Sequence, residues 1–175
     1  MESSSSEDSM NKYPLSYYYV SPKNAERIES FRELSGDSEK SLISQYVRGW
    51  IGRNRDYYLQ LARIDAAARE ISFRQWGETV FKDGIEALPD YKQEVTNLPP
   101  NPLWDVTLSS DATVRRQLNY ITLGTQNLVL LKVGIYYDRD GAIGFISRIV
   151  KEHLDRNWDK LYAPQVEAEN FENWV

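Results

Sequence analysis

The feature that most constrains the fold is an internal repeat. Shifted by 103 positions, the sequence aligns residues 13–60 with 116–163 without a gap, and ten of the 48 aligned positions are identical. Ordinary residue frequencies would give about three identities. The clearest stretch is SLISQYVRGWIGRNRD (41–56) against GFISRIVKEHLDRNWD (144–159). Here Ile43, Ser44, Val47, Arg53, Asn54 and Asp56 recur as Ile146, Ser147, Val150, Arg156, Asn157 and Asp159. At the same shift Leu15, Tyr17, Asn24 and Asp37 recur as Leu118, Tyr120, Asn127 and Asp140. A chain carrying two copies of one supersecondary unit must bury the apolar face of each against something, most simply against the other copy.

Local signals give both copies the same order of elements. In the first, YPLSYYYV (13–20) is aromatic-rich and reads as a strand. Ser21-Pro22 opens a helix, with proline in its first turn. Ala25, Ile28, Phe31 and Leu34 line one side of that helix, and Gly36 stops it as a left-handed cap. Ser38 is the N-cap of a longer helix, whose stripe is Leu42, Ile43, Val47, Trp50, Ile51 and Tyr58. In the second copy LNYITL (118–123) is the strand and 125–137 a very apolar helix. Asp140-Gly141 is the break, and Phe145, Ile146, Ile149, Val150 and Leu154 form the next stripe. Strand alternation assigns Tyr18, Val20, Ile121 and Leu123 to the core. It turns Leu15, Tyr17, Tyr19, Leu118, Tyr120 and Thr122 outward.

The 21 basic and 26 acidic side chains give a net charge of −5, which hides a pattern. Residues 12–58 and 115–162 are net basic, whereas 59–114 and the two termini are net acidic. The absence of cysteine excludes a thiol nucleophile, a disulfide scaffold and thiolate metal sites. A single histidine, His153, makes a histidine-based metal site a poor fit, and it reads as a packed residue. No P-loop, G-x-S-x-G or G-x-G-x-x-G run occurs, so no enzyme and no cofactor is expected. Asp83, Glu86, Asp90 and Glu94 are spaced like one helix face and read as solvated surface. The paired Asn54-Arg55-Asp56 and Asn157-Trp158-Asp159 read as helix-surface hydrogen bonding at equivalent places. There is no long apolar run for a membrane span, and MESSSSEDSM has no apolar core for a secretory signal. The cytoplasm is the expected compartment.

A short strand, a Ser-Pro helix start, an amphipathic helix, a glycine, a serine N-cap and a Leu-Ile-rich helix resemble the ribbon-helix-helix fold of the Arc, MetJ and CopG type of repressor. YPLSYYYVSPKNAERIESFRELSGDSEKSLISQYVRGWI carries the resemblance most fully; in the second copy Arg139 stands in place of the turn glycine. The resemblance implies a mainly α fold with a short antiparallel β-ribbon: two fused units forming a pseudo-dimer, joined by a helical connector. It also implies duplex DNA as partner, with the ribbon in the major groove and helix N-termini on phosphate. Carried onto this chain, Tyr17, Tyr19, Tyr120 and Thr122 face the bases, Ser38 and Lys40 hold phosphate, and Lys12, Arg115 and Arg116 flank the strands and reach the backbone.

The outward set is rich in tyrosine and leucine, which also suits a protein surface. The alternative is therefore a protein-interaction module that keeps the fold and uses the aromatic ribbon and acidic tails on a protein partner. By either reading the chain is a monomeric pseudo-dimer or a homodimer. Around the two copies, residues 1–11 form a Ser-rich disordered tail and 163–175 an acidic tail. Residues 59–114 are the connector: helical over 59–88 with a bend near 71–74, then a Pro-rich strap over 95–111 in which Trp104 is the expected anchor.

Overall fold

The computed structural model describes residues 11–108 and 112–174. It is mainly helical, with one small antiparallel ribbon. Strands β1 (Lys12–Pro14) and β2 (Tyr17–Val20) run into helices α1 (Pro22–Ser35) and α2 (Glu39–Arg53). The connector supplies α3 (Arg55–Ala68), α4 (Phe73–Asp83) and a 3-10 turn at Ile85–Ala87. Strands β3 (Val114–Gln117) and β4 (Tyr120–Thr122) then lead into α5 (Thr125–Tyr136) and α6 (Gly141–Asn157). A π-helical turn at Trp158–Tyr162 joins α6 to α7 (Ala163–Trp174). Among the described residues no helix is long and apolar enough to cross a membrane.

Capping chemistry sets the helix ends. The Ser21 and Ser38 hydroxyl oxygens accept the N–H groups of Asn24 and Ser41, and Gly36 closes α1 at φ 76°. Only glycine takes that left-handed conformation without steric cost. Asn54 ends α2, and its side-chain amide donates to the Trp50 carbonyl at 2.9 Å; Asn157 does the same to the His153 carbonyl at 2.8 Å. The recurrent asparagines thus act as helix-end hydrogen bonders, as expected. The connector breaks after Ala68, with Glu70 at φ 58°, and restarts on the Ser72 N-cap.

The ribbon pairs β1 with β4 and β2 with β3 in one register, from Lys12↔Thr122 to Val20↔Val114. Leu15 N–H donates to the Asn119 carbonyl and Leu118 N–H to that of Ser16, carrying the pairing across the middle. The second strand therefore begins at Val114, earlier than LNYITL suggests, and takes in Arg115 and Arg116. Tyr18, Val20, Ile121 and Leu123 are buried as alternation requires. Leu15 and Leu118 are not outward: Leu15 is 4 % exposed and Leu118 packs on the core. The ladder breaks at 15–16 and 118–119, and each break resets the two-residue period so that both leucines turn inward.

A two-stranded ribbon has two free edges, whose backbone donors need partners. Here the long helices supply them. Tyr19 N–H donates to Ser147 Oγ on α6 (2.9 Å), and Thr122 N–H donates to Ser44 Oγ on α2 (3.0 Å). Both serines are buried, beside Ile43, Val47, Ile146 and Val150 at the centre of the core.

Several expectations for the outlying segments need correction. Leu103, not Trp104, anchors the strap: Leu103 is fully buried, whereas Trp104 is 58 % exposed with Arg139 over its ring. Residues 163–174 of the acidic tail form a helix. The acidic row does not share a helix face, because α4 ends at Asp83. No cluster of three metal-ligating side chains occurs among the described residues. The expected Ser-rich tail at 1–11 lies almost wholly outside the described residues. His153 is packed, stacked on Tyr46 with ring centroids 4.0 Å apart and bonded to the Tyr162 hydroxyl at 2.7 Å. Burial, with Arg53 and Arg156 nearby, lowers its pKa to about 4, so it is neutral at physiological pH.

Candidate nucleic-acid interface

The ribbon's outer face is the surface that the core does not use. Register and exposure put Lys12, Tyr17 and Tyr19 of the first strand on it, with Arg115, Tyr120 and Thr122 of the second. Gln117 and Asn119 join them and are exposed. Neither stood out in the sequence. For Gln117 the signal that could have found it is its position: at the repeat spacing it matches Pro14, inside the strand rather than before it.

Cations and aromatic rings alternate across this face. The Lys12 and Lys40 ammonium groups lie 4.5 and 4.3 Å from the centroid of the Tyr120 ring. Lys40 Nζ also donates to the Tyr120 hydroxyl at 2.8 Å. That hydrogen bond, with the two positive charges, holds the phenol below its ordinary pKa. Arg115 lies 4.8 Å over the Tyr17 ring, and Tyr17 meets Tyr19 edge-on at 5.5 Å. Among the described residues Lys12, Lys40 and Arg115 have no carboxylate ion-pair partner. The rings hold each cation in place without neutralising it.

Lys12 and Arg115 lie within strands rather than beside them. Arg116 also lies within β3 but points the other way. It makes ion pairs with Glu29 and Glu39, and the Tyr18 hydroxyl donates to the same Glu39 at 3.0 Å. The Arg116 hydrogen bond is the main reason Glu29 titrates below its usual range. Arg116 is therefore a strut between ribbon and helices, not a free phosphate ligand. The misassignment follows from placing the strand start four residues too late.

Beside the ribbon, the N-terminus of α2 forms one wall of a cleft of about 540 Å3, lined by Tyr17, Ser38, Lys40, Arg115, Gln117 and Asn119 among others. Ser38 Oγ is committed to the cap, accepting from Ser41 N–H at 3.1 Å. The N–H groups of Glu39 and Lys40 have no intrahelical acceptor, as at any helix start. One wall of the cleft thus carries helix-end donors, a lysine and Glu39, whose charge is matched by Arg116, and the other carries arginine and two amides. Such a surface attracts an anion and can hydrogen-bond to what the anion is attached to. No family model, curated protein or solved structure matches the chain.

Proposed function

We propose that this protein is a non-enzymatic, cytoplasmic transcriptional regulator that binds duplex DNA through the ribbon, and that it is a tandem ribbon-helix-helix pseudo-dimer in a single chain. The observation that carries DNA binding is the outer face of the ribbon. Among the described residues Lys12, Lys40 and Arg115 have no carboxylate ion-pair partner. Lys12 and Arg115 are on the ribbon, and Lys40, on the adjoining helix α2, lines one cleft with Arg115, Gln117 and Asn119 beside a two-stranded element of the width that enters a major groove.

The pseudo-dimer is supported by relations that a chance repeat would not produce. The 103-residue shift carries α1 onto α5 and α2 onto α6, with starts that differ by at most one residue. It also turns the Tyr19–Ser147 hydrogen bond into the Thr122–Ser44 one with the roles of the two copies exchanged. Exchange of that kind is what a two-fold relation between the copies would give, and it supports the pseudo-dimer reading. By this reading the chain is a monomer in solution, and a hydrodynamic mass near 20.4 kDa is expected.

Fluorescence anisotropy with a labelled random-sequence duplex tests DNA binding. Three phosphate contacts predict micromolar affinity that weakens about 40-fold between 50 and 200 mM salt. No binding at low salt and tens of micromolar protein would overturn the proposal. In that case the three outward tyrosines favour the second reading, a surface for a protein partner.

A further inference from the structure

A ribbon made by two identical chains shows the same side chains twice and reads a sequence with two-fold symmetry. This ribbon does not. At the repeat spacing its outer face pairs Lys12 with Arg115 and Tyr17 with Tyr120, cation with cation and ring with ring. Two further equivalent positions break the symmetry: Pro14 corresponds to Gln117, and Ser16 to Asn119. All four are exposed.

The chemistry divides the same way. Lysine and arginine over tyrosine rings hold a phosphate backbone and give position, without sequence information. A carboxamide makes two hydrogen bonds to the N6 and N7 edge of adenine, which proline cannot do and serine does only singly. The groups that position are therefore shared by both strands, whereas the groups that discriminate lie on one. Resting on the proposed DNA reading, we infer that the ribbon recognises a non-palindromic duplex site, with Gln117 and Asn119 of the second strand as specificity-determining residues that select adenine and have no counterpart of the same chemistry on the first strand.

Selection from a randomised duplex library with the full chain tests this. The expected motif is asymmetric, with adenine-dependent preference at positions that have no two-fold mate. Gln117→Ala and Asn119→Ala each reduce that preference by about 5- to 150-fold. The double variant Pro14→Gln/Ser16→Asn copies the discriminating chemistry to the other strand and shifts the selected motif toward a palindrome. Thermal melting confirms that each variant is folded. A palindromic wild-type motif, or unchanged selectivity in the alanine variants, overturns the inference. Salt-dependent binding with no preferred sequence also overturns it and leaves the DNA reading standing. Absence of binding to any duplex overturns both.

Discussion

The N-terminal ends of α2 and α6 occupy equivalent places in the two halves of the repeat, yet their surroundings are opposite. The start of α2 is open, with Ser38 as its cap and Lys40 reaching across to Tyr120. The start of α6 is built into the protein. Arg148, 1 % exposed, binds Asp138 through both carboxylate oxygens at 2.9 and 2.7 Å, and Asp140 at 3.3 Å. Its remaining donors go to the carbonyls of Leu103 (2.6 Å) and Val106 (2.8 Å) on the strap. The residue at the same place in the first half is Gln45, which is exposed. One backbone path thus has two settings: one helix end borders an open cleft, and the other fastens the connector. A buried arginine is tolerated there because every donor is satisfied and its charge is matched.

Removing one partner of such a network should have the largest effect. Arg148→Met leaves Asp138 buried without its counter-charge and is expected to cost about 3–5 kcal/mol. Gln45→Met at the exposed counterpart should stay within about 0.5 kcal/mol. Urea denaturation of the two variants compares them, and equal losses would mean that the two ends do not differ as described.

The serine hydroxyls are where the halves should behave alike. Ser44→Ala and Ser147→Ala each strand a ribbon-edge N–H in the core, at an expected cost of about 1–3 kcal/mol apiece. The same denaturation series reads both. A loss confined to one of them would show that the other edge relaxes onto a different acceptor.

Smaller effects concern binding. Lys40→Ala and Arg115→Ala should each lower the salt dependence of duplex binding by about one phosphate contact, without loss of thermal stability. Arg116→Ala should do the reverse, lowering the melting temperature through its lost partners Glu29 and Glu39. A loss of salt dependence with Arg116→Ala in a fully folded protein would put that side chain back on the DNA face.

A separate effect is the pH dependence of His153, which the first half lacks at the equivalent place, since Trp50 does not titrate. The unfolded chain takes up a proton on His153 as the pH falls through about 6.5, and the folded chain only near 4. Stability is therefore fully present above about 6.5 and declines between that value and 4. As His153 is the sole histidine, its imidazole proton resonances follow the titration directly. A midpoint near 6.5 in the folded protein would contradict the packing against Tyr46 and Tyr162.

What the sequence made legible was local or periodic. The helix starts at Ser21 and Ser38, the stop at Gly36 and the bend in the connector depend on residues within one turn of the event. The buried stripes follow from spacing alone. The strand VRRQ was missed because it has no apolar alternation; its pairing with Tyr17–Val20 makes it a strand. The inward turn of Arg116 depends on Glu29 and Glu39, far away in the chain and invisible to a local reading. In the strap, Trp104 drew attention by its size, but Leu103 lies beneath Arg148 and fills the space. The candidate site was legible as to which strands form it. Its composition was not, because the ladder breaks that reset the alternation have no marker residue.

The register also bears on how the chain comes off the ribosome. β1 and β2 are made roughly a hundred residues before their partners β3 and β4, so α1 to α4 emerge while the first strand still lacks its mate. During that interval the tyrosine-rich strand is an open edge, the kind of surface on which nascent chains stick to one another. Ribbon closure is thus a late event in folding, gated by translation of the second half. A ribosome stalled in the connector would hold a set of helices with the ribbon still unmade.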